Sequence, residues 1–464
     1  MKPIYQRVVD SIPDYQTFNT LDEFDASTRA LAEEFPGVVE LSSIGKTREG
    51  RDLLCLKIGE GPAALALGCP HPNEPIGAMM LEHFSRCLAS DEEFRRELGY
   101  TWYIVKAWDA DSLVLNKWLK GPYTITNYTR GFFRPSGPEM VEWSFPIDYK
   151  TLHFHDTLPE TAAVMRLIDE TKPVFIYSLH NSGFGGVYWY ESSATPDLWE
   201  EMRSIVAAQG LPLHLGEPEV PYATPLAPAT FPLISVVDEY DYLAQYVPEG
   251  VDPASQVMAG AGSEDYARKY GTFEFINEMP YFFDPRIGDS SSCGRSRRDV
   301  MIESLDFTEE ANKQIHAILD LSKEHMDPAS HYLKFVEAFS KIGSTEATRA
   351  MVATNPEFDR QATVAEEFDG VLVGKFYKTL QFAMLARANE SELAKLDETG
   401  AAAPEARAAL ERGRDAALAK HAELCAMLEE KINYEVIPIK KLVTIQLSCG
   451  LLVADEVRQR AQAK

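Results

Sequence analysis

A histidine and a glutamate stand three residues apart, at His71 and Glu74, in a proline-rich segment that follows Gly68. Imidazole nitrogen and carboxylate oxygen are both good zinc ligands, and a catalytic zinc usually takes three protein ligands. The apolar run at 63–67 just before them predicts a buried strand. Both side chains are therefore expected at the carboxyl end of a strand, where open α/β sheets bind their ligands.

The spacing alone does not identify a metal site, because a second His-x-x-Glu pair occurs at His214 and Glu217. That pair lies among prolines with no clear strand before it, which favours a loop or edge histidine. His71 instead follows a strand pattern, and the prolines around it stiffen the turn. The alternative for His71 is an ordinary turn histidine, so further ligands are needed.

A third ligand is offered by His180, which ends the apolar strand predicted at 174–179 and precedes a glycine-rich segment. Taken alone, His180 could equally be a core or capping residue. Together with His71 and Glu74, however, it completes the three-ligand set that a catalytic zinc requires. The sequence therefore predicts one zinc ion per chain.

A general base is expected near such a zinc, and Glu274 is the first candidate. It stands in the middle of the apolar strand predicted at 272–276, where a charge is costly unless it is paired, solvated or functional. A carboxylate beside a zinc-activated water can take its proton. The alternative is an outward-facing strand glutamate. Glu278 ranks second, because it is expected to lie beyond the end of the strand.

The elements that would position these residues alternate between strands and helices over the first 300 residues. Such alternation predicts an α/β sheet. Predicted strands cover 38–41, 53–58, 63–67, 101–105, 174–179, 187–190 and 272–276, and predicted helices cover 21–35, 76–88 and 159–170.

Helical periodicity dominates after about residue 300. A helix capped by Thr308 is expected, followed by long helices at about 361–397 and 404–432, which is typical of a helical hairpin or small bundle. We therefore expect a catalytic domain at 1–300 and a mainly helical C-terminal region at 301–464. The apolar stripe of that region predicts core packing or an interface between copies of a homo-oligomer.

Composition excludes several classes of partner. The net charge of -26 argues against nucleic acid, whose phosphates would be repelled. No apolar run approaches the length of a membrane span, and no secretory leader follows Met1, so neither a membrane nor export is expected. The six cysteines are scattered without a close pair, which favours free thiols and a cytoplasmic location.

Taken together, these segments resemble the zinc metallocarboxypeptidase family, the carboxypeptidase A-like proteins, and indicate a divergent bacterial-type member. The resemblance runs from about residue 15 to about 285 and rests on several segments in the family's order. They are Ile44-Gly45-Lys46-Thr47-Arg48-Glu49-Gly50-Arg51, Gly68-x-x-His71-x-x-Glu74, Leu158-Pro159-Glu160-Thr161, Ser178-Leu179-His180 and Thr272-Phe273-Glu274-Phe275.

The resemblance implies a mixed, roughly eight-stranded sheet between helices and one zinc held by His71, Glu74 and His180. It implies amide hydrolysis by a zinc-polarised water, with Glu274 as base and then as acid. An arginine should stabilise the oxyanion. Arg134 is the better match for that role and Arg130 the second.

The departures from the family concern the substrate. The Asn-Arg pair that grips a terminal carboxylate in the family is missing from the segment 146–151, where Lys150 could supply only a point charge. Asn181 is a further expected substrate contact. If Glu264 or Asp265 faces inward, a basic substrate group would be favoured, whereas a solvated loop is the alternative.

Two functions are compatible with these residues. The first is an intracellular, zinc-dependent metallopeptidase-like amidohydrolase that cleaves a small peptide or an acylated amino acid. The second is a catalytically inactive ligand-binding protein on the same fold, which the missing Asn-Arg pair would suit. Retention of the ligands and of an acidic base candidate favours the enzyme.

Overall fold

The computed structural model describes residues 1–220, 222–340, 346–400 and 403–462, so parts of the predicted C-terminal region, 341–345, 401–402 and 463–464, lie outside the described residues. The strands, in chain order, are β1 (Val39–Lys46), β2 (Asp52–Ile58), β3 (Ala63–Gly68), β4 (Thr101–Val105), β5 (Ile147–Tyr149), β6 (Leu152–Phe154), β7 (Phe175–His180), β8 (Tyr188–Glu191), β9 (Thr230–Pro232), β10 (Phe273–Glu278), β11 (Phe282–Phe283), β12 (Ser292–Ser296), β13 (Gln361–Thr363) and β14 (Glu435–Val436).

The α-helices complete the framework and, in chain order, are α1 (Pro3–Asp10), α2 (Leu21–Glu34), α3 (Ile76–Ser90), α4 (Glu92–Leu98), α5 (Ala110–Leu113), α6 (Ile125–Gly131), α7 (Pro159–Thr171), α8 (Trp199–Ala208), α9 (Val236–Tyr246), α10 (Ser263–Ala267), α11 (Arg297–Leu319), α12 (His331–Phe339), α13 (Glu346–Thr354), α14 (Val364–Phe368), α15 (Gly374–Thr399), α16 (Pro404–Lys431) and α17 (Ile439–Gln462). None of the described helices combines the length and the apolar character that a membrane span requires.

One mixed sheet of eight strands forms the centre of the molecule, in the order β1-β2-β4-β3-β7-β10-β8-β9. Strands β4, β3, β7 and β10 run parallel to one another, whereas β1 pairs antiparallel with β2, β2 with β4, and β8 with β10. Helices cover both faces of the sheet, and an apolar cluster lies between each face and its helices. The predicted mixed eight-stranded sheet between helices is therefore confirmed, as is the helical C-terminal region.

The parallel strands β3, β7 and β10 end at the same edge of the sheet. Gly68 at the end of β3 pairs with Leu179, and His180 at the end of β7 pairs with Glu278 at the end of β10. Residues that end or follow these strands are therefore brought together by the register of the ladder. This edge is where the sequence predicts the metal ligands.

The turn after β3 is tight, and it sets the angle at which His71 leaves the sheet. Cys69 has a φ of 48°, a left-handed conformation that few non-glycine residues adopt. After the turn, α3 passes close over β7, where a Cβ added at Gly77 would lie 2.3 Å from the Cβ of Leu179. The helix after the ligand turn and the strand of the third ligand thus depend on one glycine for their close packing.

The C-terminal region departs from the sequence prediction at its start. The helix expected to begin at Thr308 begins at Arg297, because Ser296 accepts a hydrogen bond from the Asp299 N–H and caps it there. The last helix, α17, lies on the sheet, where the Tyr177 hydroxyl donates to the Gln446 carbonyl over 2.7 Å. A domain boundary near residue 300 stays a prediction.

Candidate metal centre

His71, Glu74 and His180 form one cluster at the shared edge of β3, β7 and β10. Each offers a ligand atom, and these atoms all lie within 4.8 Å of one another. His71 Nδ1 is 3.0 Å from one oxygen of Glu74, and His180 Nδ1 is 3.1 Å from the other. All three are buried, with exposures of 4%, 2% and 4%. The three residues chosen from the sequence therefore converge.

The cluster fits a zinc ion by its donor set. Two imidazole nitrogens and a carboxylate are the ligands that catalytic zinc sites use, leaving a position open for water or substrate. Burial would raise the pKa of Glu74, but His71 and His180 hold it below its ordinary value. Glu74 is thus kept ionised, as a metal ligand must be.

Glu142 holds the outer nitrogens of both histidines. Its Oε1 lies 2.8 Å from His180 Nε2, and its Oε2 lies 3.3 Å from His71 Nε2. At His180, a carboxylate that accepts from Nε2 fixes the tautomer and leaves Nδ1 as the metal-facing atom. Glu142 is buried as well and also accepts from Ser178 Oγ over 3.2 Å.

Asn181, predicted as a substrate contact, is engaged within the protein. Its Oδ1 accepts from the Ile76 N–H and from the Tyr281 hydroxyl, both over 3.0 Å. The backbone N–H of Asn181 donates to Glu74 Oε2 over 3.1 Å. These contacts tie Asn181 to Glu74 and to the start of α3, and a contact between Asn181 and the substrate stays a prediction.

Glu278, and not Glu274, stands at the level of the ligands. Strand β10 continues to Glu278, which is paired with His180, whereas Glu274 is paired with Ile176 four residues earlier on the same face. Glu278 Oε1 lies 3.8 Å from His180 Nδ1, and Glu278 Oε2 has no hydrogen-bond partner within the described part of the chain. In the sequence analysis Glu274 ranked first because the strand was predicted to end at residue 276, whereas β10 continues to Glu278.

Comparison with known proteins yields one family match. Residues 24–111, which include His71 and Glu74, match the family described as zinc carboxypeptidase. This chain is similar to the zinc carboxypeptidases. The resemblance seen in the sequence is thereby confirmed. No curated protein matches the chain.

Three solved structures are similar to parts of this chain at low identity. Carboxypeptidase A from Helicoverpa armigera is 15% identical over 60% of this chain and 71% of its own, with a TM-score of 0.33. The metallo-carboxypeptidase from Burkholderia cenocepacia is 16% identical over 56% and 59%, with a TM-score of 0.31. Bovine thrombin-activatable fibrinolysis inhibitor is 16% identical over 56% and 86%, with a TM-score of 0.33. Scores this low add nothing about the site.

Arg134 is the predicted arginine that reaches the cluster of His71, Glu74 and His180. Its Nη2 lies 2.8 Å from His71 Nε2, and its Nη1 lies 3.5 Å from Glu74 Oε1. The guanidinium also stacks over Trp143, 5.4 Å from the ring centroid. Arg130 instead pairs with Glu390 on α15, so it faces the C-terminal helices.

The acidic residues predicted for the substrate pocket, Glu264 and Asp265, lie on α10. This helix contacts the first part of β10 through Ser263 and Glu274. Glu274 Oε1 accepts from Ser263 Oγ over 2.7 Å, whereas its Oε2 has no partner among the described residues. Burial, together with nearby Glu142, raises the pKa of Glu274 to about 8. Burial and the charges of Asp265 and Glu274 raise the pKa of Glu264 as well. Asp265 pairs with Arg268 at 3.2 Å and also accepts from the Val236 N–H over 3.4 Å.

Lys150, which could supply a point charge for a substrate carboxylate, lies in the turn between β5 and β6. Its side chain is 51% exposed and pairs with Asp241 at 2.6 Å. Its ammonium also lies 4.9 Å from the Tyr149 ring centroid. A contact between Lys150 and the substrate stays a prediction.

Sequence reasoning missed Glu142 and Gln446. Glu142 lies in a segment with neither a strand pattern nor a spacing that links it to the ligands. Gln446, on α17, donates from Nε2 to the His180 carbonyl over 3.1 Å. A buried glutamine in an apolar helix was a usable signal, because such a side chain needs partners.

Proposed function

We propose that the protein is a zinc-dependent hydrolase that cleaves an amide bond in a small peptide or an acylated amino acid. The observation that carries the proposal is the convergence of His71, Glu74 and His180 with the free carboxylate oxygen of Glu278. The match to the zinc carboxypeptidase family also supports a metallopeptidase function. A catalytically inactive binding protein is not favoured, because it has no need of an unpartnered buried carboxylate beside three metal ligands.

Zinc would be held by Nδ1 of both histidines and by the carboxylate of Glu74. When bound, it supplies Lewis-acid activation of a water molecule and of the amide carbonyl. Glu142 and Asn181 would keep the ligands in place, the first through the outer imidazole nitrogens and the second through Glu74.

Glu278 is the proposed general base in place of Glu274. Its Oε2 would accept a proton from the attacking water and return it to the leaving amine. Burial and nearby Glu219 raise the pKa of Glu278 well above its ordinary value, in the direction that strengthens a base. Its place at the end of a strand holds this oxygen at a fixed distance from the ligands.

Arg134 is the proposed oxyanion donor. Its guanidinium contacts the edge of the ligand cluster and is oriented by Trp143. As the carbonyl oxygen becomes negative, a fixed positive donor stabilises it more than it stabilises the neutral amide. Glu264 and Glu274 would favour a basic group on the substrate, because a bound cation relieves the cost of two neighbouring buried carboxyl groups.

The test is metal analysis combined with hydrolysis assays. Purified protein is assayed on N-acylated amino acids and on dipeptides to hexapeptides, before chelation, after chelation and after zinc is returned. We expect about one zinc per chain and an activity that is lost and then restored with the metal. Full zinc occupancy with no cleavage of any compound would instead identify a binding protein.

A further inference from the structure

Tyrosines line the side of the cleft beyond Glu278, away from His180. Strand β8 pairs antiparallel with β10, so that Tyr188 lies directly opposite Glu278 and Tyr190 opposite Ile276. Directly paired residues share one face of a sheet. The row at the edge of the sheet therefore runs from His180 through Glu278 to Tyr188.

The two tyrosine hydroxyls hold a single carboxylate, that of Glu219. Tyr190 donates to Glu219 Oε2 over 2.9 Å, and Tyr188 donates to Glu219 Oε1. The rings are buried, with exposures of 3% and 5%, whereas Glu219 itself is exposed. Each carboxylate oxygen has a second lone pair, so Glu219 can still accept hydrogen bonds from a ligand.

No cation balances this carboxylate in the part of the chain that the structure describes. Neither lysine nor arginine forms an ion pair with Glu219 there. Strand pairing places Tyr188, which donates to Glu219, beside Glu278 at the edge of the metal-ligand cluster. An oriented carboxylate with no cationic partner at that place points to a cationic group that binds from outside.

We propose that Glu219, oriented by Tyr188 and Tyr190 and flanked by Glu278, binds a primary ammonium group of the substrate. An ammonium has three donors, and the Glu219 oxygens offer it the lone pairs that the two tyrosine hydroxyls leave free. A hard divalent cation fits less well, because it requires six or more oxygen ligands in its first shell. This inference rests on the proposed function, since it names the class of substrate: short peptides that carry a free amine.

The site is separate from the acidic pair Glu264 and Glu274. Those residues lie toward the start of β10, whereas Glu219 lies across the sheet beyond β8. The amine that occupies the Glu219 subsite has two chemical sources, the amino terminus of a peptide or the side chain of a lysine. The amino terminus is the first expectation, because it is present on every unblocked peptide.

The test uses zinc-loaded protein and a Gly-Lys-Ala analogue whose amide bonds are replaced by uncleavable ketomethylene groups. Three forms are compared by calorimetry: the free amine, the N-acetylated form, and a form with norleucine in place of lysine. We expect acetylation to weaken binding to the wild type about tenfold or more, as the loss of a charged hydrogen bond does. Glu219→Gln should remove that difference.

Glu200→Gln, an exposed glutamate on α8 paired with Arg203, is the matched control and should leave the difference unchanged. A penalty for norleucine alone, lost in Glu219→Gln, would assign the subsite to a lysine side chain. Equal acetylation penalties in the wild type and in Glu219→Gln would overturn the inference. If the protein prefers the free amine but cleaves no natural peptide, the proposed hydrolase function is wrong and the proposed ammonium subsite is supported.

Discussion

Glu278 and His180 face each other across β10 and β7, with Glu278 Oε1 3.8 Å from His180 Nδ1. Both residues end buried parallel strands, so the hydrogen-bonded ladder itself sets their separation. A reacting carboxylate and a metal ligand on rigid elements hold their geometry better than groups on loops.

Replacing Glu142 by Gln should weaken zinc binding. One histidine then meets an amide NH2 instead of a carboxylate oxygen and loses the acceptor that orients it. Changes of this kind cost about 10- to 100-fold in metal affinity. Competition with a chromophoric chelator measures the change. Glu139→Gln, three residues away and paired with Lys334 on the surface, should leave zinc affinity unaltered.

Arg134→Lys should reduce kcat/KM by about 100-fold, because one lysine donor replaces a fixed guanidinium at the forming oxyanion. Steady-state kinetics on the best peptide found provide the measurement. Arg130→Lys is the control, since Arg130 pairs with Glu390 on α15. Equal losses in both variants would point to a structural effect and against a role in the reaction.

Gly77→Ala should destabilise the fold at the ligand edge. Its new Cβ would lie 2.3 Å from Leu179 Cβ, which forces α3 away from β7. Overpacking of this kind costs about 1–3 kcal/mol in the free energy of unfolding. Denaturant melts provide that value. Gly37→Ala has open space around its added Cβ and should be close to neutral.

Lys378 should give the stability a pH dependence. It is 6% exposed and bonds only to neutral groups within the described chain, Asn312 at 2.8 Å and Gln381 at 3.3 Å. Burial lowers the pKa of Lys378 from 10.5 to about 8. Below pH 8 the folded protein carries the full cost of a buried charge. Between pH 8 and 10.5 the unfolded chain binds more protons, so this group makes stability rise with pH.

Lys378→Met should therefore be more stable than the wild type at pH 7, by up to about 3 kcal/mol. That advantage should shrink toward pH 10, where Lys378 is neutral in the folded protein. Urea melts of both proteins at the two pH values give the difference. Lys420→Met, on α16 where 34% of the lysine side chain is exposed and its ammonium pairs with Glu423, should show no such trend. A constant advantage for Lys378→Met would contradict the assignment.

Much of the sheet could be predicted because buried strands give continuous apolar runs. The strand at Thr101–Val105 has the predicted bounds, and β7 differs by a single residue at each end. His71, Glu74 and His180 could be predicted for the same reason, since each ends or follows such a run. Local patterns of this kind depend only on neighbours in the chain.

The rest depended on pairings that the sequence does not display. Glu278 was ranked below Glu274 because a strand end cannot be located from composition, whereas pairing with His180 extends β10 to Glu278. Glu142 approaches both histidines only after the sheet and the segment above it have packed. Lys150 was chosen for its charge, and its hairpin turns it toward Asp241.

The most direct test compares Glu278→Gln with Glu274→Gln, two isosteric changes on one face of β10. Zinc content and peptide hydrolysis are measured on each protein. We predict that Glu278→Gln keeps about one zinc per chain and loses about 100- to 10,000-fold in kcat, as expected for a missing general base. Glu274→Gln should keep both zinc and kcat. Full hydrolysis by zinc-loaded Glu278→Gln would contradict this prediction.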